Sequence, residues 1–152
     1  MNIQAQIDSD IKAALLAGDK QKAETLKGVK SALLNEMISL GAREHGLTDD
    51  QVQKVLARES KKRAEAVDLY QKAGAVDRAQ AEAAEKAIID AYLPAQLSEA
   101  EITAKVKQEV AKLDNPTMAD MGRLTGSVKA ALGPQADGAV IARLVKASLE
   151  QQ

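Results

Sequence analysis

The sequence predicts an all-α protein, and three features carry that prediction. Of its 152 residues, 29 are Ala, the strongest helix former, beside 38 Leu, Ile, Val and Met combined. Only two residues are aromatic, both Tyr, so the large rings that favour strands are almost missing. Apolar residues recur at i, i+4 spacing in stretches separated by Gly, Pro and Asp, which punctuate helices. Hydrophobic residues make up 45%, charged residues 28%, and the formal net charge is -1. Such a balance can bury a core and does not belong to a disordered chain.

Taken in order, residues 3–17 place Ile3, Ile7, Ile11, Ala14 and Leu15 on one helical face. Gly18 ends that helix and Asp19 caps the next, which runs from Lys20 to about Leu40. Its predicted buried face is Ala23, Leu26, Val29, Leu33, Leu34, Met37 and Leu40. Gly41 stops it, and a short polar loop reaches Leu47. Thr48 is an N-cap for a third helix, with Asp49 and Asp50 favourable in the positive first turn. This helix extends to about Ala73, where Gly74 breaks it. A fourth, Ala-rich helix spans about Asp77 to Tyr92-Leu93, because Pro94 disfavours helical geometry at the residue before it. Ser98 and Glu101 form a capping box for a fifth helix, closing near Leu113. Thr117 with Asp120 caps a sixth, which ends around Leu132. The seventh starts near Asp137-Gly138 and carries Val140, Ile141, Leu144, Val145 and Leu149. Residues 1–94 are read as an N-terminal subdomain of four mostly long helices, and 95–152 as a smaller three-helix C-terminal subdomain.

Many function classes fall away on residue types alone. Without cysteine there is no disulfide framework, thiol nucleophile or Cys-ligated zinc. The one histidine, His45, lies in the 41–47 loop without an HxxH or HExxH pattern and reads as a solvated loop residue. No GxxxxGK[ST] motif occurs, and Gly122, Gly126 and Gly133 lie in a helical pattern with no strand before them. Carboxylate pairs such as Asp8 with Asp10, or Glu82 with Glu85, sit on amphipathic helices and read as solvated faces. No catalytic residue, metal ligand or cofactor is therefore expected. No apolar run approaches the ~18 residues of a membrane span, and the segment MNIQAQIDSDIK lacks a signal peptide's apolar core. A cytoplasmic protein without a membrane partner is expected.

Charge is balanced along the chain: residues 1–95 hold 14 basic and 15 acidic residues, and residues 96–152 hold 7 of each. A charge-driven function must then reside in local clusters. The richest is Lys54 to Arg63, where Val52, Val55, Leu56, Ala66, Leu69 and Tyr70 define the apolar stripe. Glu59 and Arg63 fall inside that stripe and Lys62 at its edge, so these charges must pair or reach a partner. Either Glu59 and Arg63 form an i, i+4 pair on a partly exposed face, or Lys54, Arg58, Lys61, Lys62 and Arg63 present a basic strip to an anion such as RNA phosphate. Lys20, Lys22, Lys27 and Lys30 spread around their helix and read as solvated surface. In the C-terminal part, Gly122 and Gly126 are one turn apart. They permit either tight helix packing or the close passage of a nucleic-acid backbone flanked by Arg123, Lys129, Arg143 and Lys146.

Several motifs occur together in a fixed order: Ser60-Lys61-Lys62-Arg63, Ala73-Gly74, Ala91-Tyr92-Leu93-Pro94-Ala95-Gln96-Leu97-Ser98, Met121-Gly122 with Gly126, and Ala136-Asp137-Gly138. In this the chain resembles YqeY-like proteins over essentially its whole length. The resemblance implies an all-α fold with a long-helix N-terminal part and a smaller helical C-terminal part. It also implies kinship with the C-terminal tail domain of the B subunit of tRNA-dependent amidotransferase, and with modules appended to some glutaminyl-tRNA synthetases. In those enzymes the module helps hold tRNA while other domains carry the chemistry. The expectation is a non-catalytic tRNA- or RNA-associated accessory module. The alternative is a protein-interaction module docking on an amidotransferase or aminoacyl-tRNA synthetase. A carbon–nitrogen ligase using glutamine as amido donor follows from the family label only. Lys129 is the one basic residue between Gly126 and Asp137, with Gln135 where the resemblance implies an arginine.

Overall fold

Helix ends fall where polar caps stand, because the first amides of a helix have no partner inside it. In the computed structural model, which describes residues 2–151, the Asn2 side chain accepts from the Ala5 amide at 2.8 Å and opens α1 (Ile3–Ala17). Gly18, at φ 74°, closes it in the left-handed conformation that glycine tolerates. Asp19 then accepts from the Lys22 amide and opens α2 (Lys20–Ser39). Thr48 and Gln51 exchange bonds in a capping box at the head of α3 (Asp49–Lys72). Following the Gly74 turn, α4 (Val76–Asp90) starts without a side-chain cap. Ser98 and Glu101 form the box of α5 (Glu99–Val110). Thr117 and Asp120 do the same, but for a 3-10 turn at Met118–Asp120, so α6 (Met121–Leu132) begins a turn later than the sequence suggests. A second 3-10 turn, Gly133–Gln135, leads to α7 (Gly138–Glu150), capped by Asp137. Among the described residues there are seven α-helices and no strand.

Contacts divide the chain between Leu93 and Pro94 into two units, each with its own core. In the first, Ile7 and Ile11 of α1, Leu26, Val29 and Leu33 of α2, Leu47 of the loop, Val52, Val55 and Leu56 of α3, and Ile89 of α4 bury one another. In the second, Ile102, Val106 and Val110 of α5, Leu124 and Val128 of α6, and Ile141, Val145 and Leu149 of α7 do so. Full burial of each such aliphatic side chain contributes about 1.5–3 kcal/mol, which is what holds helices of these lengths in place.

Two expected core faces are narrower than their patterns. Leu34 and Leu40, expected inside, are each half exposed, because the buried row of α2 is Ala23, Leu26, Val29 and Leu33 and Leu34 stands about 100° around the helix from Leu33. On α3 burial stops at Ser60, and Leu69 is 67% exposed. At 24 residues α3 is about 36 Å long, against about 22 Å for α1, so its second half outruns the core. That half lies along α4, its most extensive partner.

Candidate nucleic-acid interface

Where the apolar core of α3 ends, polar ties to α4 begin. Buried Ser60 donates from Oγ to Asp90 Oδ1 at 2.5 Å, and Lys86 donates to the other oxygen of the same carboxylate at 2.6 Å. One turn further on, Arg63 donates to Glu59 Oε2 at 2.8 Å, and its Nε lies 3.6 Å from Glu85 of α4. Arg78 of α4 stacks over the ring of Tyr70, 5.9 Å from its centroid. Serine, carboxylate and lysine are here a buried tether: the hydroxyl already gives its proton to Asp90, and none of the cavities found is lined by Ser60.

The nine predicted cations separate into three kinds. Arg63, only 17% exposed, is drawn into the α3–α4 seam between Glu59 and Glu85. Burial pushes the Glu59 carboxyl up, but hydrogen bonds from Arg63 and Lys62, with their charges, outweigh it and hold Glu59 below the usual carboxylate value of 4.5. Lys129 is likewise occupied: it donates to the carbonyls of Ala136 at 2.6 Å and Gly133 at 3.3 Å. A second group forms exposed ion pairs. Arg58 meets Glu36 of α2 at 2.8 Å, Lys62 meets Glu59 at 3.3 Å, Arg123 meets Asp120 at 2.7 Å, and Arg143 meets Glu99 of α5. Exposed pairs of this type contribute little and exchange partners readily. The third group is Lys54 and Lys61 of α3 and Lys146 of α7, all exposed, with no acidic partner among the described residues. Lys54 and Lys61 are seven residues apart and so share the outer face of α3, with Arg58 between them.

The glycines of α6 take a side. An added Cβ at Gly122 or Gly126 would meet nothing within 4 Å, so tight helix packing does not explain them, and this face of α6 is smooth and open. Lys107 of α5 is a further exposed cation without an acidic partner among the described residues, and its spacing to no apolar motif drew attention in the sequence. Neighbouring Glu109 is held below its ordinary value by hydrogen bonds from Lys112 and Lys105. Among the described residues no group of three or more His, Cys, Asp or Glu is arranged to hold a metal ion, and no helix is long and apolar enough to cross a membrane. His45 lies exposed in its loop.

The family model described as Yqey-like protein matches residues 4–149. The chain belongs to the YqeY family. The matched span covers both units, so all three kinds of cation and the α6 glycines lie within the family's domain. No curated protein matches the chain. Membership of the YqeY family fits an accessory module and does not by itself assign a ligand.

Proposed function

We propose that this YqeY-family protein is a non-catalytic accessory module of the cytoplasm that binds the phosphate backbone of tRNA. The observation that carries the reading is the outer face of α3, where Lys54 and Lys61 stand unpaired two turns apart with exposed Arg58 between them. Cations without acidic partners release counterions to a polyanion at no cost in internal ion pairs. Arg58, Lys62, Arg123 and Arg143 can join by leaving weak exposed pairs, and Lys146 adds a contact from the second unit. Arg63 and Lys129 stay with their internal partners. Base stacking has no platform, since Tyr70 lies under Arg78 and the hydroxyl of Tyr92 is bonded within the first unit. Binding is then by shape and backbone, weak in keeping with a net charge of -1, and salt-dependent.

A titration of labelled tRNA at ~50 and ~200 mM salt tests this, with Lys54→Ala/Lys61→Ala as the variant. Loss of two phosphate contacts flattens the log–log salt slope by about 1.5–2 units. An unchanged slope, or no binding at the lower salt, removes the RNA reading. Docking on an amidotransferase or aminoacyl-tRNA synthetase is the second reading, favoured by Leu34 and Ile38, one turn apart and each about half exposed on α2. Its signature is association with such an enzyme that survives high salt and is lost in Leu34→Ser.

A further inference from the structure

The segment joining the units is anchored at both ends by side chains. On the first unit, the Tyr92 hydroxyl donates to Asp10 Oδ2 of α1 at 2.5 Å, a bond spanning 82 positions, while Gln6 holds the other oxygen of Asp10 at 2.8 Å. Burial and this carboxylate push the Tyr92 phenol well above its usual value, so it stays a donor across the physiological range. Tyr92 and Leu93 also pack against the first core, and their amides close the last turn on Ile89 and Asp90. On the second unit, Gln96 donates from Nε2 to the Pro134 carbonyl at 3.1 Å, and the Leu97 amide to the Gln135 carbonyl at 2.9 Å. Leu97 packs against the second core. The accepting turn is itself braced, because Lys129 holds the carbonyls of Gly133 and Ala136. Every carbonyl from residue 133 to 136 is thus engaged.

Between these anchors stand only Pro94 and Ala95, with no hydrogen bond or core contact recorded for either among the described residues. Proline fixes its own φ and keeps the preceding residue extended, so few torsions remain free. We propose that Pro94-Ala95 is a two-residue stiff hinge. It is bounded by a Tyr92–Asp10 clamp on the first unit and a Gln96–Pro134 clamp on the second, and the clamps limit how freely the units turn against each other. The proposal is independent of any RNA reading.

Backbone 15N relaxation on the full chain tests it. In the wild type both units are expected to tumble with one correlation time. Pro94→Gly, which removes no hydrogen bond or core contact of either unit, is expected to give the units separate times. Tyr92→Phe and Gln96→Ala are expected to do so to a smaller degree. Hydrogen exchange reads each clamp locally: Tyr92→Phe speeds the Tyr92 and Leu93 positions about fivefold and leaves Leu97 alone, and Gln96→Ala does the reverse. Separate correlation times in the wild type overturn the stiff hinge, as does a Pro94→Gly protein that tumbles unchanged. Clamp variants with unaltered exchange and tumbling overturn the clamps.

Discussion

The middle of α3 and the end of α6 both carry exposed-side cations, yet the two regions put them to different use. Lys54 and Lys61 lie well inside a 24-residue helix, where every backbone carbonyl near them is already bonded along the helix. With no acidic neighbour in reach, they face solvent. Lys129 lies four residues from the end of α6, where terminal carbonyls lack helical partners, and its ammonium turns back onto Gly133 and Ala136. Position relative to a helix end, more than local charge density, decides whether a lysine is available to a ligand. A basic run read without that distinction overstates the cations free to bind.

The largest effect expected is at the one cation that is neither free nor turned onto backbone. Glu59→Ala leaves Arg63 in the seam with only Glu85, and lowers the stability of the chain by roughly 2 kcal/mol in urea unfolding. An unchanged midpoint would show Arg63 to be as loosely held as Lys61. Next is acid: Glu59 titrates below 4.5 when folded, so the stability it contributes is present above about that pH and is lost as pH falls through the lower folded value. The urea midpoint measured from pH 6 to 3 should fall more steeply in the wild type than in Glu59→Gln. Lys129→Met comes third, at about 1 kcal/mol, because two bonds to carbonyls are lost at a partly exposed turn. It should leave tRNA affinity alone; a weakened salt slope in this variant would erase the difference between the two regions. Smallest is Lys54→Ala/Lys61→Ala, expected to stay within about 0.5 kcal/mol of the wild type in thermal unfolding while altering tRNA binding.

Much of the fold is legible in the residues. Asp19, Thr48 with Gln51, Ser98 with Glu101, and Asp137 mark helix starts through bonds to amides two or three positions away, so local spacing suffices to find them. Gly18 and Gly74, each at positive φ, end helices for equally local reasons. The exclusion of thiol chemistry and the family motifs likewise need only the order of residues. The site is less legible. Arg58 and Arg63 look equivalent in sequence, yet one meets Glu36 on the surface and the other sinks beside Glu85. Nothing within a few positions of Tyr92 announces Asp10, 82 residues away.

The sequence by itself determined the seven helices, most of their ends and the family, because capping, glycine conformation and apolar periodicity act within one or two turns. Only the tertiary structure decided which cations are free, that the Gly122–Gly126 face is open, that Leu34 faces outward, and that two clamps bound Pro94-Ala95. Those outcomes depend on which helix lies opposite, and a pair such as Arg63 with Glu85 or Tyr92 with Asp10 exists only once packing has brought distant positions within about 3 Å.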